Sequence, residues 1–172
     1  MKNPADVTVL ISTNNLSIAR TLRMAMRGLG VRSIHLAATI DQTVAAFSIA
    51  EPHAVIVYVD GPSQADDGLT TLRFLRRSEQ SPDRRIPVVA VSPQRDLATI
   101  NAAIDGGAHE YVLFPASGDN LLKKITAART SSRPFMDTPE YVGPERRQRP
   151  GAFGGAERRV DEPQKPPVIE AG

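Results

Sequence analysis

The residues Ala54-Val55-Ile56-Val57-Tyr58-Val59 run without a polar break and stop at Asp60-Gly61-Pro62. A short, mostly β-branched run closed by turn formers reads as a strand covered on both faces. Strands of that kind lie in the middle of parallel sheets, whose crossovers put helices on both sides. The stretch therefore demands strand–helix alternation along the rest of the chain. It also locates a site, because the chemistry of open α/β sheets lies just beyond the carboxyl ends of their strands. Tyr58 to Pro62 is where that site is expected.

The rest of the chain alternates as required. Val7 to Ile11 reads as a first strand, followed by a helical row of Ile18, Leu22, Met26 and Leu29 that Gly30 stops, with Asn14 or Asn15 as its cap. Ser33 to Ala37 is a second strand. Thr39 caps a helix with Ile40, Val44, Phe47 and Ala50 on its apolar face, ended at Glu51-Pro52. After the central strand, Asp67-Gly68 precedes the row Leu69, Leu72, Leu75. Ile86 to Val91 is a fourth strand, Leu97, Ile100 and Ile104 mark a fourth helix, and Gly106-Gly107 stops it. Tyr111 to Phe114 is a fifth strand ended by Pro115. Ser117 or Asp119 opens a last helix through Leu121, Leu122 and Ile125. Five such units in about 125 residues match a flavodoxin-like (βα)5 sandwich, an α/β fold with parallel sheet order 2-1-3-4-5.

That accounts for residues 1–130 of 172. Residues 131–172 hold seven of the 14 prolines, many glycines and few aliphatic side chains. Such a composition buries too little apolar surface to offset the entropy of ordering, so a disordered Pro/Gly/Arg-rich tail is expected. Within it Gly143-Pro144-Glu145-Arg146-Arg147 recurs loosely as Gly155-Ala156-Glu157-Arg158-Arg159. The repeat reads either as low-complexity drift or as a doubled linear motif. In the second case, paired arginines beside Tyr141 and Phe153 would dock on an acidic protein surface or on RNA.

The net charge of +2 gives no reason to expect a DNA partner. The absence of cysteine excludes disulfides and thiolate metal sites and suits a reducing compartment. Val7 to Ile11 is too short for a signal-peptide core or a membrane span, so a soluble cytoplasmic protein is expected. His35, His53 and His109 are scattered without ligand spacing, and no metal site is expected from them. The segment after the first strand contains no glycine, which counts against a nucleotide or flavin site. No nucleophile–base set is visible, so an enzyme is not expected.

In order and spacing, these landmarks resemble the response-regulator receiver family of two-component signalling, over roughly residues 6 to 129. Val9-Leu10-Ile11 leads into the turn after strand one. Asp67-Gly68 opens helix three, and Ile86-Pro87 begins strand four. Ser92 stands at the family's hydroxyl position, Gly107-Ala108 precedes strand five, and Tyr111 stands at the switch aromatic. Phe114-Pro115 stands at the family's Lys-Pro pair. The tail segment Tyr141 to Arg147 also looks like extensions of some bacterial receivers.

The resemblance implies phosphoryl transfer from a histidine kinase to an aspartate. That reaction needs a carboxylate nucleophile, Mg²⁺ held by further carboxylates, and a lysine on the phosphoryl oxygens. This sequence departs at each part. The acidic pair falls on Thr13 and Asn14, and the lysine is Phe114. Counting from Pro52 and Pro62 puts Tyr58 at the acceptor position; counting back from Asp67-Gly68 puts Asp60 there. The first count is preferred, because two extra residues fit a loop more easily than a buried strand. The reading is a degenerate receiver, or pseudo-receiver, with no cofactor unless Asp60 works as an acceptor with Mg²⁺. Its function would be phosphorylation-independent binding of a protein partner such as a histidine kinase or another signalling protein. The docking face would run over helix four, strand five and helix five, around Arg95, Asp96, Asn101, Asp105, His109, Glu110, Lys123 and Lys124. Two alternatives stay open: an atypical phosphoacceptor using Asp60, and a small-molecule sensor with a pocket at Tyr58, Asn14 and Ser92.

Overall fold

The computed structural model describes residues 3–63 and 65–146. A single 3-10 turn, Pro4–Asp6, precedes β1 (Thr8–Ser12), α1 (Leu16–Gly28), β2 (Ser33–Ala37), α2 (Ile40–Ala50) and β3 (Ala54–Tyr58). Then follow α3 (Asp67–Arg77), β4 (Val88–Ser92), α4 (Leu97–Asp105), β5 (Glu110–Leu113) and α5 (Gly118–Thr130). The five strands form one parallel sheet in the order β2-β1-β3-β4-β5. The flavodoxin-like expectation is therefore met.

Because successive strand residues point to opposite faces, β3 feeds two cores. Ile56 joins Val9, Ile11, Val89 and Val91 under Leu22 and Met26 of α1 and Leu121 and Ile125 of α5. Val55 and Val57 join Leu10, Val88 and Ala90 under Leu69, Leu72 and Leu75 of α3. Both layers exclude water from β3, which is why its sequence is apolar at every position. Asn15, Thr39, Asp66, Asp96 and Ser117 cap α1 to α5, each accepting a backbone N–H of the first turn.

Two expectations about faces need correction. In α4, Leu97 is 74% exposed, and Thr99 and Ala103 are the buried residues. The Asp96 carboxylate, by binding both the N–H and hydroxyl of Thr99, turns that smaller side chain inward. In α2 only Thr43 is fully buried; its hydroxyl meets that of Ser12 at 3.2 Å. That buried pair also explains why β1 extends to Ser12.

The larger correction concerns the segment after Thr130. Residues 131–146 are not a disordered tail: they fold back as an antiparallel hairpin, β6 (Phe135–Asp137) with β7 (Val142–Pro144). The hairpin lies against the ends of α3 and α4 and the start of β5. Arg77 donates to the carbonyls of Pro139 and Glu140 at 3.2 and 2.7 Å. Arg133 donates to the His109 carbonyl at 2.7 Å and meets Glu110 at 3.2 Å. Tyr141 is buried and donates its hydroxyl to the Pro144 carbonyl at 2.7 Å. The Arg146 guanidinium lies 3.7 Å from the centre of the Tyr141 ring and 2.6 Å from Asp105. Counting aliphatic side chains missed this because arginine forks and ring faces hold the hairpin. The second copy of the repeat, with Phe153, lies outside the described residues.

Candidate functional site

The carboxyl ends of β1 and β3 and the loop before α3 enclose a cleft of about 310 Å³ at the crest of the sheet. Thr13, Asn14, Tyr58, Asp60, Asp66 and Asp67 line it. The sheet register fixes who faces whom. Ser12 pairs with Val57, so Thr13 and Tyr58 are the next residues out on neighbouring strands. Tyr58 is the last residue of β3 and pairs with Val91, and Ser92 ends β4 one place further.

Tyr58 is half-buried, and its ring meets Phe114 edge-on with centroids 6.2 Å apart. Burial raises the pKa of its hydroxyl above 10.0, and the Asp60 charge, a hydrogen bond to Asp60 and the Asp66 charge raise it further. The phenol therefore stays neutral, with the Asp60 and Asp66 carboxylates the charges that act on it. Asp60 itself is exposed, two residues beyond the strand.

Sequence reasoning passed over Asp66 and treated Asp67 only as a helix opener. Asp66 Oδ2 accepts the N–H groups of Asp60 at 2.7 Å and Gly61 at 3.3 Å, while Oδ1 caps α3 through Leu69 N–H. Its signal was an acid three residues before the first leucine of a helical row. Asp67 accepts the side-chain N–H of Asn14. Next to it, Gly68 cannot be anything larger. A Cβ there would lie 1.9 Å from the Tyr58 carbonyl oxygen, so α3 approaches the end of β3 at backbone distance.

Among the described residues, three carboxylates and no lysine, arginine or histidine line the cleft. Two of the three are engaged with backbone or with Asn14. Among the described residues no group of three acids, imidazoles or thiols converges as a metal would need. The Mg²⁺ that the receiver resemblance implies does not fit: Thr13 and Asn14 carry no charge, and Asp67 is held by Asn14. A phosphoryl group would meet negative charge without a cation to offset it. Phe114, where the resemblance expects a lysine, packs on Tyr58 instead; the bond from it to Pro115 is cis.

Ser92 and Tyr111 are brought together through one residue. Ser92 Oγ accepts the Gln94 N–H at 3.2 Å, and the Tyr111 hydroxyl donates to the Gln94 carbonyl at 2.8 Å. Ser92 is fully buried and does not line the cleft, so the sensor pocket of Tyr58, Asn14 and Ser92 is not assembled as expected.

A different concentration of charge sits at the foot of the sheet. Arg76 is fully buried, and among the described residues no carboxylate forms an ion pair with it. Its Nε donates to the Gly107 carbonyl, Nη1 to Arg84 and Nη2 to Ile86, each at 2.9 Å. Nη2 also lies 3.2 Å from His109 Nδ1, which accepts the Val88 N–H as well. Burial lowers the guanidinium pKa to about 10. Burial, then Arg76 and Arg133, lowers that of His109 to about 3, so the imidazole is neutral with Nδ1 as acceptor. His109 is thus not available on a docking face as expected. Its 8% exposure follows from sitting beneath the hairpin, where Arg133 covers its carbonyl. Arg76 was legible in one respect: it falls four residues after Leu72, on the apolar row of α3.

No protein-family model matches the sequence, and no curated protein matches it. Solved structures do match the fold. A putative response regulator from Chloroflexus aurantiacus J-10-fl is 22% identical with a TM-score of 0.59, over 72% of this chain and 97% of that one. Vibrio cholerae chemotaxis protein CheY4 is 17% identical with a TM-score of 0.58, over 71% and 98%. A Burkholderia pseudomallei response regulator with a phosphorylated aspartic acid, calcium ion and citrate is 22% identical with a TM-score of 0.56, over 72% and 69%. The fold is that of a response-regulator receiver. Among the described residues no helix is long and apolar enough to cross a membrane.

Proposed function

We propose that this chain is a receiver-fold module of two-component signalling that binds its protein partner without being phosphorylated. The observation that carries the reading is the lining of the crest cleft among the described residues: three carboxylates, no cationic side chain, and an aromatic pair where acceptor and lysine would stand. Transfer of a phosphoryl group relies on cations that neutralise developing charge, and the described residues around this cleft supply none. The register supports Tyr58, not Asp60, as the residue at the acceptor position, since it ends β3 beside Thr13. The two extra residues then belong to the loop that Asp66 organises.

What the fold retains is surface. Arg95, Asp96, Asn101 and Lys123 are exposed on and around α4 and α5. Lys124 and Arg133 are tied to Glu110 at 2.8 and 3.2 Å, which fixes the α5 side of that face. With Ser92 and Tyr111 both bound to Gln94, the loop between β4 and α4 is held in one arrangement. Binding is therefore expected in one conformational state. The test is capture of a partner from cell lysate on the immobilised full chain, with and without acetyl phosphate and Mg²⁺. The expected result is equal recovery in both arms. Recovery only after phosphodonor treatment would contradict the reading.

A further inference from the structure

We propose that Phe153–Arg159 is a second docking element for the groove that Tyr141–Arg146 fills, and that the two exchange there within one chain. The first element shows what the groove selects. It takes an aromatic ring at 141, on which the Arg146 guanidinium stacks at 3.7 Å. It takes an arginine at 146, which reaches Asp105 at 2.6 Å. Between them it tolerates only glycine. A Cβ on Gly143 would lie 2.7 Å from Gly107 Cα and 2.6 Å from the Tyr141 hydroxyl. A Cβ on Gly107 would lie 2.4 Å from the Val142 carbonyl oxygen, so the two glycines meet back to back.

Twelve residues further on, the sequence repeats each selected feature at the same spacing: Phe153 for the ring, Gly155 for the close approach, Arg158 for the guanidinium. Glu157 and Arg159 repeat Glu145 and Arg147 beside them. A composition drift would not keep ring, glycine and arginine in register while changing the residues between them. Those intervening residues do change: Gly154 replaces Val142 and Ala156 replaces Pro144. Phe153 also lacks the hydroxyl that Tyr141 donates to Pro144. The residues twelve beyond β6 are Arg147-Gln148-Arg149, so no counterpart of the Phe135 ring precedes the second element. The first element therefore wins at rest. The missing hydroxyl bond alone favours it on the order of fivefold.

Exchange needs residues 131–152 to act as a loop. At about 3.3 Å per extended residue their reach far exceeds the width of the domain. The tether keeps the second element at an effective concentration on the order of millimolar, so exchange stays within one molecule. A partner that takes hold of Tyr141–Arg146 then leaves the groove re-covered by Phe153–Arg159.

The absence of cysteine makes the test direct. Asn101→Cys puts one nitroxide on an exposed residue of α4, one turn before Asp105. In the full chain the label is expected to broaden the amide signals of residues 141–146 and leave 153–159 sharp. Adding Tyr141→Ala and Arg146→Ala is expected to transfer the broadening to 153–159, unchanged on roughly tenfold dilution as a tethered event requires. A further Arg158→Ala is expected to abolish it. Should the double replacement shift the core amides, Arg146→Ala alone, at a side chain 39% exposed, gives the same reading on a folded chain. Signals of 153–159 that stay sharp in the folded variant would overturn the proposal. So would broadening that fades on dilution, which would mean docking between two chains.

Discussion

The crest and the foot of the sheet carry opposite kinds of polarity. At the crest, where the fold would place its chemistry, the charged groups among the described residues are all carboxylates around an open cleft. At the foot, a guanidinium is fully buried, each of its nitrogens has an acceptor, and a hairpin closes over it. The contrast teaches where this chain keeps its specificity. Buried polar networks are costly unless complete, and the one at the foot is complete. Among the described residues the crest supplies no cationic side chain with which to hold an anion.

The largest effect should come from breaking the foot. Arg76→Ala removes the guanidinium donor from the carbonyls of Gly107, Arg84 and Ile86 and leaves His109 Nδ1 with the Val88 N–H alone. It should cost about 3–5 kcal/mol of unfolding free energy, read from urea denaturation. A loss within about 0.5 kcal/mol would mean that water satisfies those acceptors and that the network is not buried. Gly68→Ala acts at the crest instead. Its Cβ would collide with the Tyr58 carbonyl, so about 2–3 kcal/mol should be lost as α3 moves away from β3. An unchanged midpoint would show that the cleft is looser than its geometry.

The third effect is a pH dependence that belongs to the foot. His109 has a folded pKa of about 3, below its unfolded value near 6.5, because burial and then Arg76 and Arg133 oppose its charge. Between those values the unfolded chain binds the extra proton, so stability is full above about 6.5 and falls as pH drops towards 3. The slope should approach about 1.4 kcal/mol per pH unit, which amounts to about 1.6 kcal/mol between pH 6.5 and 5 because the unfolded histidine is only half protonated at the upper end. Denaturation of wild type and His109→Gln at matched pH checks this. The variant should lose most of the slope in that interval. Equal slopes would remove His109 from the account.

Much of the fold could be read from the chain because its strands announce themselves. Ser33 to Ala37 is the observed strand residue for residue, and the central run Ala54–Val59 exceeds its strand, Ala54–Tyr58, by one residue. The buried row of α3 followed from the leucine spacing. Where small residues pack, the signal failed: Leu97 attracts attention, yet Thr99 and Ala103 face the core. The hairpin was illegible for a different reason. Its order depends on Arg77 finding two carbonyls more than 60 positions away, and on Arg146 finding both Tyr141 and Asp105. No periodicity carries such pairings. At the crest, the neutral Thr13 and Asn14 and the Phe114 ring could be read directly, whereas the roles of Asp66 and Asp67 needed the loop geometry.

The most direct test is intact mass after incubation of the full chain with acetyl phosphate and Mg²⁺. The expected result is an unchanged mass. A stoichiometric gain of one phosphoryl group, abolished by Asp60→Asn, would contradict the claim that this crest cannot hold a phosphoryl group.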